Sequence, residues 1–257
     1  METTTVEERF TRIGARARVL EARRLVGLRV DVRTDDRGEF FDLWVPADVG
    51  LEVLDVQPRD RHLLLMARGE EKSRFLCGHD ERHWFAAAVP ERAPVTTVAQ
   101  AKDALKPGLV RARQGRLAPR LRNRRRNPVF VRQGEWFFLP APDFAPQDWV
   151  ILRRERLARG RGTPHVAEEA VRSGGETVYI SYRHPSELAP TEYEAFLRRH
   201  PDARRWSWEV ARRDPEVHVR GRVTHPDHRT VVLRGWHLVL ANTEQEARAA
   251  GSLAFID

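Results

Sequence analysis

Hydrophobic and polar residues alternate along the chain in short runs, and this period of two is the pattern of β-strands that bury one face. Every second residue is apolar from Gly27 to Val32, and a polar turn at 35–38 leads to a second apolar run from Phe40 to Val45. This pair predicts a β-hairpin. Similar runs continue between residues 51 and 89. The first half of the chain is therefore expected to form a meander, a barrel or a sandwich.

Two segments of the first half carry helical signals instead. Residues 6–13 can form a short N-terminal helix. In the second segment, Thr96 or Thr97 is a candidate cap and Pro107-Gly108 is a stop signal. An apolar stripe lies between them, at Val98, Ala101 and Leu105. We expect this helix to close the first module.

The second half begins again with a strand, a turn and a strand between residues 128 and 140. Further strand-like runs follow, at residues 150–152, 177–181, 206–211, 218–223, 230–233 and 236–240. A helix is expected over residues 191–199, and a last helical turn over residues 245–250. Thr163 is a further candidate cap, for a helix that begins at Pro164.

These elements predict an α+β fold that is mostly antiparallel β, with two β-rich modules and a few short helices. The first module spans residues 1–110. Residues 111–128 form an arginine-rich linker or arm, and residues 129–257 form the second β-rich module with some helix.

The net charge of +8 and the pI near 10.5 point towards an anionic partner such as nucleic acid. Lysine occurs at only three positions, so nearly all of the positive charge is arginine, as a GC-rich genome would produce. The total charge is therefore weak evidence, and only clusters of charge are informative.

One such cluster lies between residues 111 and 126, where few large apolar residues separate the basic ones. Its eight arginines are Arg111, Arg113, Arg116, Arg120, Arg122, Arg124, Arg125 and Arg126. Like charges at this density repel, which predicts a loop, an arm or a frayed helix. Arginine pairs bidentately with phosphate and stacks on bases, so the eight are candidate nucleic-acid contacts. A solvated linker is the equal alternative.

Several common classes of protein are disfavoured. No apolar run approaches the roughly 18 residues that a membrane-spanning helix needs. The first residues lack the basic start and apolar stretch of a signal peptide. The single cysteine, Cys77, excludes an intramolecular disulfide and a cysteine-rich zinc site. We expect a cytoplasmic protein with no membrane partner.

The first histidine cluster is the segment His79-Asp80-Glu81-Arg82-His83. On an extended strand His79, Glu81 and His83 would share one face, because side chains alternate. Two imidazoles and a carboxylate on one face are candidate metal ligands. A hairpin turn with solvated charges is the alternative.

The second cluster is His225-Pro226-Asp227-His228. Proline favours a turn, which would bring His225 and His228 together with Asp227 as the acceptor that orients them. His165 joins them as a candidate, because it shares a helix face with Glu168 if a helix begins at Pro164. The candidate catalytic residues are therefore His165, His225, Asp227 and His228.

The second half also resembles a group of uncharacterised bacterial and phage proteins with a QGD…GHxH…HxEH pattern. The match consists of three turn or loop segments and the strands that follow them. The three segments are Arg132-Gln133-Gly134-Glu135, Gly162-Thr163-Pro164-His165 and His225-Pro226-Asp227-His228, and the strands are Thr230 to Leu233 and Trp236 to Glu244. The resemblance covers about residues 129–244. It departs in the central loop, where only one histidine is present. The group has no settled activity, so the resemblance implies a grouping and no reaction.

The leading hypothesis is a protein that binds nucleic acid, RNA more than DNA, and that acts as a nuclease. In a metal-free version, one neutral histidine removes a proton while a second histidine or an arginine assists the leaving group. In the other version, histidine and carboxylate ligands hold a divalent metal that activates water. The alternative is a non-catalytic structural or adaptor component of a larger complex or of a mobile-element or defence system. A metal hydrolase of small molecules is the third possibility.

Overall fold

The computed structural model describes residues 5–91, 94–158 and 163–244. Over these residues the structure is 18% helix and 45% strand, with mostly antiparallel sheets and 5 short helices. This composition confirms the predicted α+β class with β-rich modules. None of the described helices is both long and apolar enough to cross a bilayer. The expected helical turn over 245–250 lies outside the described residues.

The first module consists of two sheets and two helices. Its helices are α1 (Val6–Thr11) and α2 (Val98–Ala104). The smaller sheet has the order β1-β3-β2, with β1 (Ala17–Glu21), β2 (Arg29–Asp35) and β3 (Gly38–Val45). The larger sheet is a meander of β4 (Gly50–Gln57), β5 (His62–Arg68), β6 (Lys72–Asp80) and β7 (His83–Val89). The hairpin expected around residues 35–38 is present as β2 and β3.

The meander is buried on both faces. Leu63 and Leu65 of β5 pack in one core with Phe41 of the smaller sheet, while Leu64 packs in a second core with Val98 of α2. This double burial explains why β5 is a continuous apolar run instead of an alternating one. Helix α2 starts where expected, because the Thr97 side chain caps it in a capping box.

The second module is built on a six-stranded sheet of order β10-β11-β14-β15-β9-β8. Its strands are β8 (Val131–Gln133), β9 (Trp136–Pro140), β10 (Leu152–Leu157), β11 (His165–Ser173), β14 (Glu216–Thr224) and β15 (Val231–Ala241). A separate hairpin-like pair, β12 (Glu176–Ile180) and β13 (Glu209–Arg213), carries α5 (Pro190–Arg199) between its strands.

Two sequence predictions in this module are wrong. The segment after Pro164 is strand β11 and not a helix, because Ala167 and Ala170 are buried in the core against β14. A register shift between residues 167 and 169 gives the apolar positions their helix-like spacing. The runs 230–233 and 236–240 belong to one strand, β15, which continues through Gly235 at a φ of 87°.

The arginine-rich segment is folded. It contains α3 (Gly108–Gln114) and α4 (Pro119–Arg122), and buried Val110 packs with Phe130 of the second module. Lys106 anchors it from inside, because its ammonium has four oxygen acceptors within 3.0 Å. These are Asp103 Oδ1, Gln114 Oε1, the Arg122 carbonyl and Asn123 Oδ1. The lysine thus ties the end of α2 to α3 and α4.

Replacing Lys106 with Met is expected to destabilise the protein by about 1–3 kcal/mol, because buried acceptors such as the Gln114 amide oxygen lose their donor. Lys72→Met is the control, since Lys72 is exposed on β6. Urea denaturation of both variants measures the difference. Equal free energies of unfolding for the two variants would contradict the anchoring role.

Candidate metal centre

Three segments of the second module meet because its sheet curls. Strand β11 begins and β14 ends at the same place, since Val166 pairs with Thr224. The β8–β9 turn lies at the far edge of the sheet, yet the Gln133 side chain donates hydrogen bonds to the carbonyls of Val223 and Arg229 at 3.2 and 2.8 Å. The curl therefore places this turn against the start of β11 and the β14–β15 loop.

Three histidines from these segments form one cluster. His165 opens β11, and His225 and His228 lie in the β14–β15 loop. The ring of His165 stacks on those of His225 and His228, with centroids 4.3 and 5.4 Å away. One nitrogen of each ring lies within 4.8 Å of the corresponding nitrogens of the other two. Within the described part of the chain, this is the one group of three side chains spaced for a metal ion.

His165 is the most constrained member of the cluster. Its side chain is only 1% exposed, and neither of its ring nitrogens has a hydrogen-bond partner among the described residues. Burial, followed by the neighbouring imidazoles, lowers its pKa to about 3. His165 is therefore neutral at physiological pH. One of its ring nitrogens carries a free lone pair, and no group of the described residues donates a hydrogen bond to it.

His228 has a similar character. Its Nδ1 atom is buried without a hydrogen-bond partner in the described structure. Burial is the main cause that lowers its pKa to about 4, and His225 and Arg125 contribute. A neutral imidazole is the form that ligates metals.

Gly134 keeps the space between these two rings open. A β-carbon on this residue would lie 2.7 Å from His228 Nε2 and 3.4 Å from His165 Nε2. The φ angle of +56° at Gly134 also favours glycine. The two Nε2 atoms therefore face the same small volume, which any larger side chain in the β8–β9 turn would occupy.

His225 is held by the backbone on both sides of its ring. Its Nε2 lies 3.1 Å from the Thr163 carbonyl oxygen, and its Nδ1 accepts the Asp227 N–H at 3.1 Å. Together these contacts favour the tautomer protonated at Nε2. Metal ligation by His225 would exchange one of these hydrogen bonds for a metal bond, so His225 is the weakest of the three candidate ligands.

The β6–β7 turn of the first module covers the cluster. Arg82 donates to the Pro226 carbonyl at 3.2 Å, and Glu81 accepts the Arg229 N–H at 2.5 Å. The same Glu81 oxygen lies 3.9 Å from Nδ1 of His228. The two modules therefore contact each other at this site.

Two arginines hold the acidic part of this turn. Arg125 pairs with both Asp80 and Glu81, and Arg132 pairs with Asp80 at 3.3 Å. Both arginines are partly buried, and burial lowers their pKa. The end of the arginine-rich segment therefore supports the turn that covers the histidines.

The first histidine cluster is a hairpin turn and not one face of a strand, because β6 ends at Asp80 and β7 begins at His83. His79 packs edge-on against the Trp84 ring at 4.9 Å. His83 bonds Glu39 at 2.6 Å and lies 3.6 Å from Asp227. The candidate ligands His79, Glu81 and His83 therefore contact different partners and do not converge on one point. Glu81 and His83 lie beside the cluster of His165, His225 and His228.

The candidate catalytic residues lie together. Asp227 Oδ2 is 3.8 Å from Nδ1 of His225, so all four residues belong to one site. Sequence reasoning missed Gly134 and Gln133 as parts of it. The Gln-Gly pair in a tight turn signals a positive φ, but nothing in the sequence indicates which side chains pack over that turn.

The eight candidate arginines divide into two groups. Arg122 and Arg125 are half-buried, and Arg122 bonds the carbonyls of Leu117 and Gly115. The other six are exposed and have no carboxylate within 4 Å among the described residues. They are Arg111, Arg113, Arg116, Arg120, Arg124 and Arg126. Two of them, Arg124 and Arg126, flank Arg125 in the chain, and Arg125 pairs with the turn that covers the histidine cluster.

Comparison of the chain with protein-family models, with curated proteins and with solved structures finds no significant match. The resemblance to the QGD…GHxH…HxEH group stays a prediction. In the structure, its three segments are the ones that meet at the histidine cluster, although Gly162 of the central segment lies outside the described residues.

The buried histidines predict acid lability of the metal-free protein. The pKa of His165 is about 3 and that of His228 about 4, against roughly 6.5 in the unfolded chain. The unfolded state therefore binds more protons at mildly acidic pH, and stability is lost as pH falls from about 6.5 towards 4. Each histidine adds up to about 1.4 kcal/mol per pH unit.

Urea denaturation of EDTA-treated protein across this range measures the slope. His165→Gln is expected to flatten it, whereas the exposed His200→Gln is the control and should leave it unchanged. An unchanged slope in His165→Gln would contradict the buried neutral state of His165.

Proposed function

We propose that His165, His228 and His225 bind a divalent transition metal and that the protein is a metal-dependent hydrolase. The observation that carries this proposal is the buried His165 ring, which stacks against two further imidazoles and whose two nitrogens have no hydrogen-bond partner within the described parts of the chain. A polar group left unpaired in a protein interior costs about 1–3 kcal/mol. Metal ligation offsets that cost.

The donor set suits zinc or a similar ion. Imidazole ligates Zn, Cu, Fe and Ni, and three protein ligands with a free fourth position are typical of catalytic zinc. Zn–N bonds of about 2.0–2.1 Å separate two ligands by at most about 4.2 Å. The nitrogens of the cluster lie within 4.8 Å of one another, but the three rings are stacked, so binding requires the rings to turn until their in-plane lone pairs meet at one point.

The surrounding side chains support hydrolysis. A bound divalent metal supplies Lewis acidity and lowers the pKa of a coordinated water. Asp227 stands at the rim with 35% of its side chain exposed, and its Oδ2 atom, 3.8 Å from Nδ1 of His225, could accept a proton there. His83 lies 3.6 Å from Asp227 and is half exposed, so it can pass the proton to solvent.

Gly134→Ala is expected to reduce Zn²⁺ affinity at least 10-fold, because the new methyl group lies 2.7 Å from His228 Nε2. Gly174→Ala is the matched control, since its φ of +65° imposes the same backbone strain while nothing lies within 4 Å of the new methyl. Competition titration with a chromophoric chelator measures both affinities. Equal affinities in the two variants would contradict a metal between His165 and His228.

We propose a phosphodiester, in RNA before DNA, as the substrate of this site. The supporting observation is the set of six exposed arginines between residues 111 and 126, which have no carboxylate within 4 Å among the described residues and which stand beside Arg125 in the chain. Unpaired guanidinium groups on one surface bind a phosphate backbone without reading its sequence. A chain that binds neither metal nor nucleic acid would instead be a structural or adaptor component.

Replacing Arg111, Arg113, Arg116 and Arg120 with Ser is expected to flatten the salt dependence of RNA binding. Each lost phosphate contact removes about 0.7 from the slope of log K against log[salt] for a single strand, so four remove up to about 3. The control replaces Arg12, Arg23, Arg24 and Arg59, which are exposed in the first module. Fluorescence anisotropy with a labelled oligonucleotide measures the slopes. Equal slopes would contradict this surface.

A further inference from the structure

Among the described residues of the first module, Glu81 is the carboxylate that lies within 4 Å of a ring of the histidine cluster. Its Oε2 atom lies 3.9 Å from Nδ1 of His228, which is buried and has no hydrogen-bond partner among the described residues. The same oxygen accepts the Arg229 N–H, and Arg125 bonds the other oxygen. The carboxylate is only 13% exposed. A carboxylate can accept more than two hydrogen bonds, so one position remains for His228.

The two ring nitrogens of His228 face different groups, and this determines the effect of a hydrogen bond to Glu81. Its Nε2 faces Gly134 and His165, while its Nδ1 faces Glu81. An imidazole that gives an Nδ1 proton to a carboxylate keeps its lone pair on Nε2. In metal sites this arrangement fixes the tautomer and the orientation of the ring and makes the ligand more basic.

We propose that Glu81 is the outer-sphere carboxylate of His228, so that the first module completes a metal centre whose ligands all come from the second. This inference rests on the proposed metal binding by His165, His225 and His228. Glu81 is a positioning residue, because it acts through His228 and not on the metal.

The backbone at Glu81 is strained, which indicates that the position of its side chain is held by its surroundings. Glu81 has a φ of 50°, in the left-handed region that glycine or asparagine would adopt with less strain. The hydrogen bond from Arg229 and the pairing with Arg125 hold it there. Strain of this kind persists where the surrounding contacts over-determine the residue, and it is common at functional sites.

The test compares Glu81→Gln with Asp80→Asn in the full-length chain. Both variants remove one negative charge from the same turn and from the same partner, Arg125, but Asp80 bonds Arg132 and not His228. Glu81→Gln is expected to lower Zn²⁺ affinity about 10-fold or more, the size found for outer-shell partners. Asp80→Asn is expected to change it no more than a few-fold.

A second readout separates positioning from general stability. Long-range ¹H–¹⁵N NMR of the zinc-loaded protein reports which nitrogen of His228 carries the proton. We expect Nδ1–H in the wild type and in Asp80→Asn, and a shifted or exchanging Nδ1 proton in Glu81→Gln. A structural role of Glu81 in module contact would lower the unfolding midpoint without moving this resonance selectively.

The outcomes are distinct. If the wild type binds Zn²⁺ and the two variants bind it equally, with the same His228 signal, the outer-sphere role of Glu81 is wrong and the proposed metal site stands. If the wild type itself does not bind Zn²⁺, the metal site is wrong and the role of Glu81 falls with it. A selective loss in Glu81→Gln supports both.

Discussion

The rest of the site depends on one buried polar ring. His165 lies in the interior, and neither of its ring nitrogens has a hydrogen-bond partner among the residues that the structure describes. Protein interiors rarely tolerate such groups without a ligand, water or ion. Two more imidazoles stack on its ring, and the Trp136 ring lies edge-on to it at 6.4 Å. Burial also keeps the ring neutral. A metal ion would satisfy these conditions together, since it is bound by neutral imidazole nitrogens whose lone pairs are free.

The fold brings this arrangement about in two steps. The long strand β15 and the register shift opposite Gly221 let the six-stranded sheet curl, so that Gln133 reaches from the edge strand to the carbonyl of Val223. The β6–β7 turn of the first module then closes over the β14–β15 loop. Arg125 stabilises that turn, and Lys106 holds the segment in which Arg125 lies. The charged residues of the segment thus serve both the fold and the site.

The fold class was predictable because period-two alternation is a local signal. The hairpin of β2 and β3 and the cap of α2 at Thr97 follow from neighbouring residues alone. Strand β11 was not predictable, because a cap residue, a proline and helix-forming residues stand at its start, and only packing against β14 overrides them. Local preference gives way wherever long-range burial contributes more.

The candidate site was partly predictable for the same reason. Proline between two histidines signals a turn, and the structure indeed brings His225 and His228 together. The approach of Glu81 to the same loop spans almost 150 positions of the chain, and no local pattern records such a contact. The role of Gly134 was not predictable either. Its missing side chain leaves space for the rings of His228 and His165, which are distant from it in the sequence.

Zinc K-edge X-ray absorption of the zinc-loaded protein tests the central claim most directly. The account predicts one equivalent of zinc with three imidazole nitrogens at about 2.0–2.1 Å and one further light-atom ligand, and a loss of imidazole scattering in His165→Ala. A shell of oxygen ligands without imidazole scattering, or a spectrum that His165→Ala leaves unchanged, would contradict it.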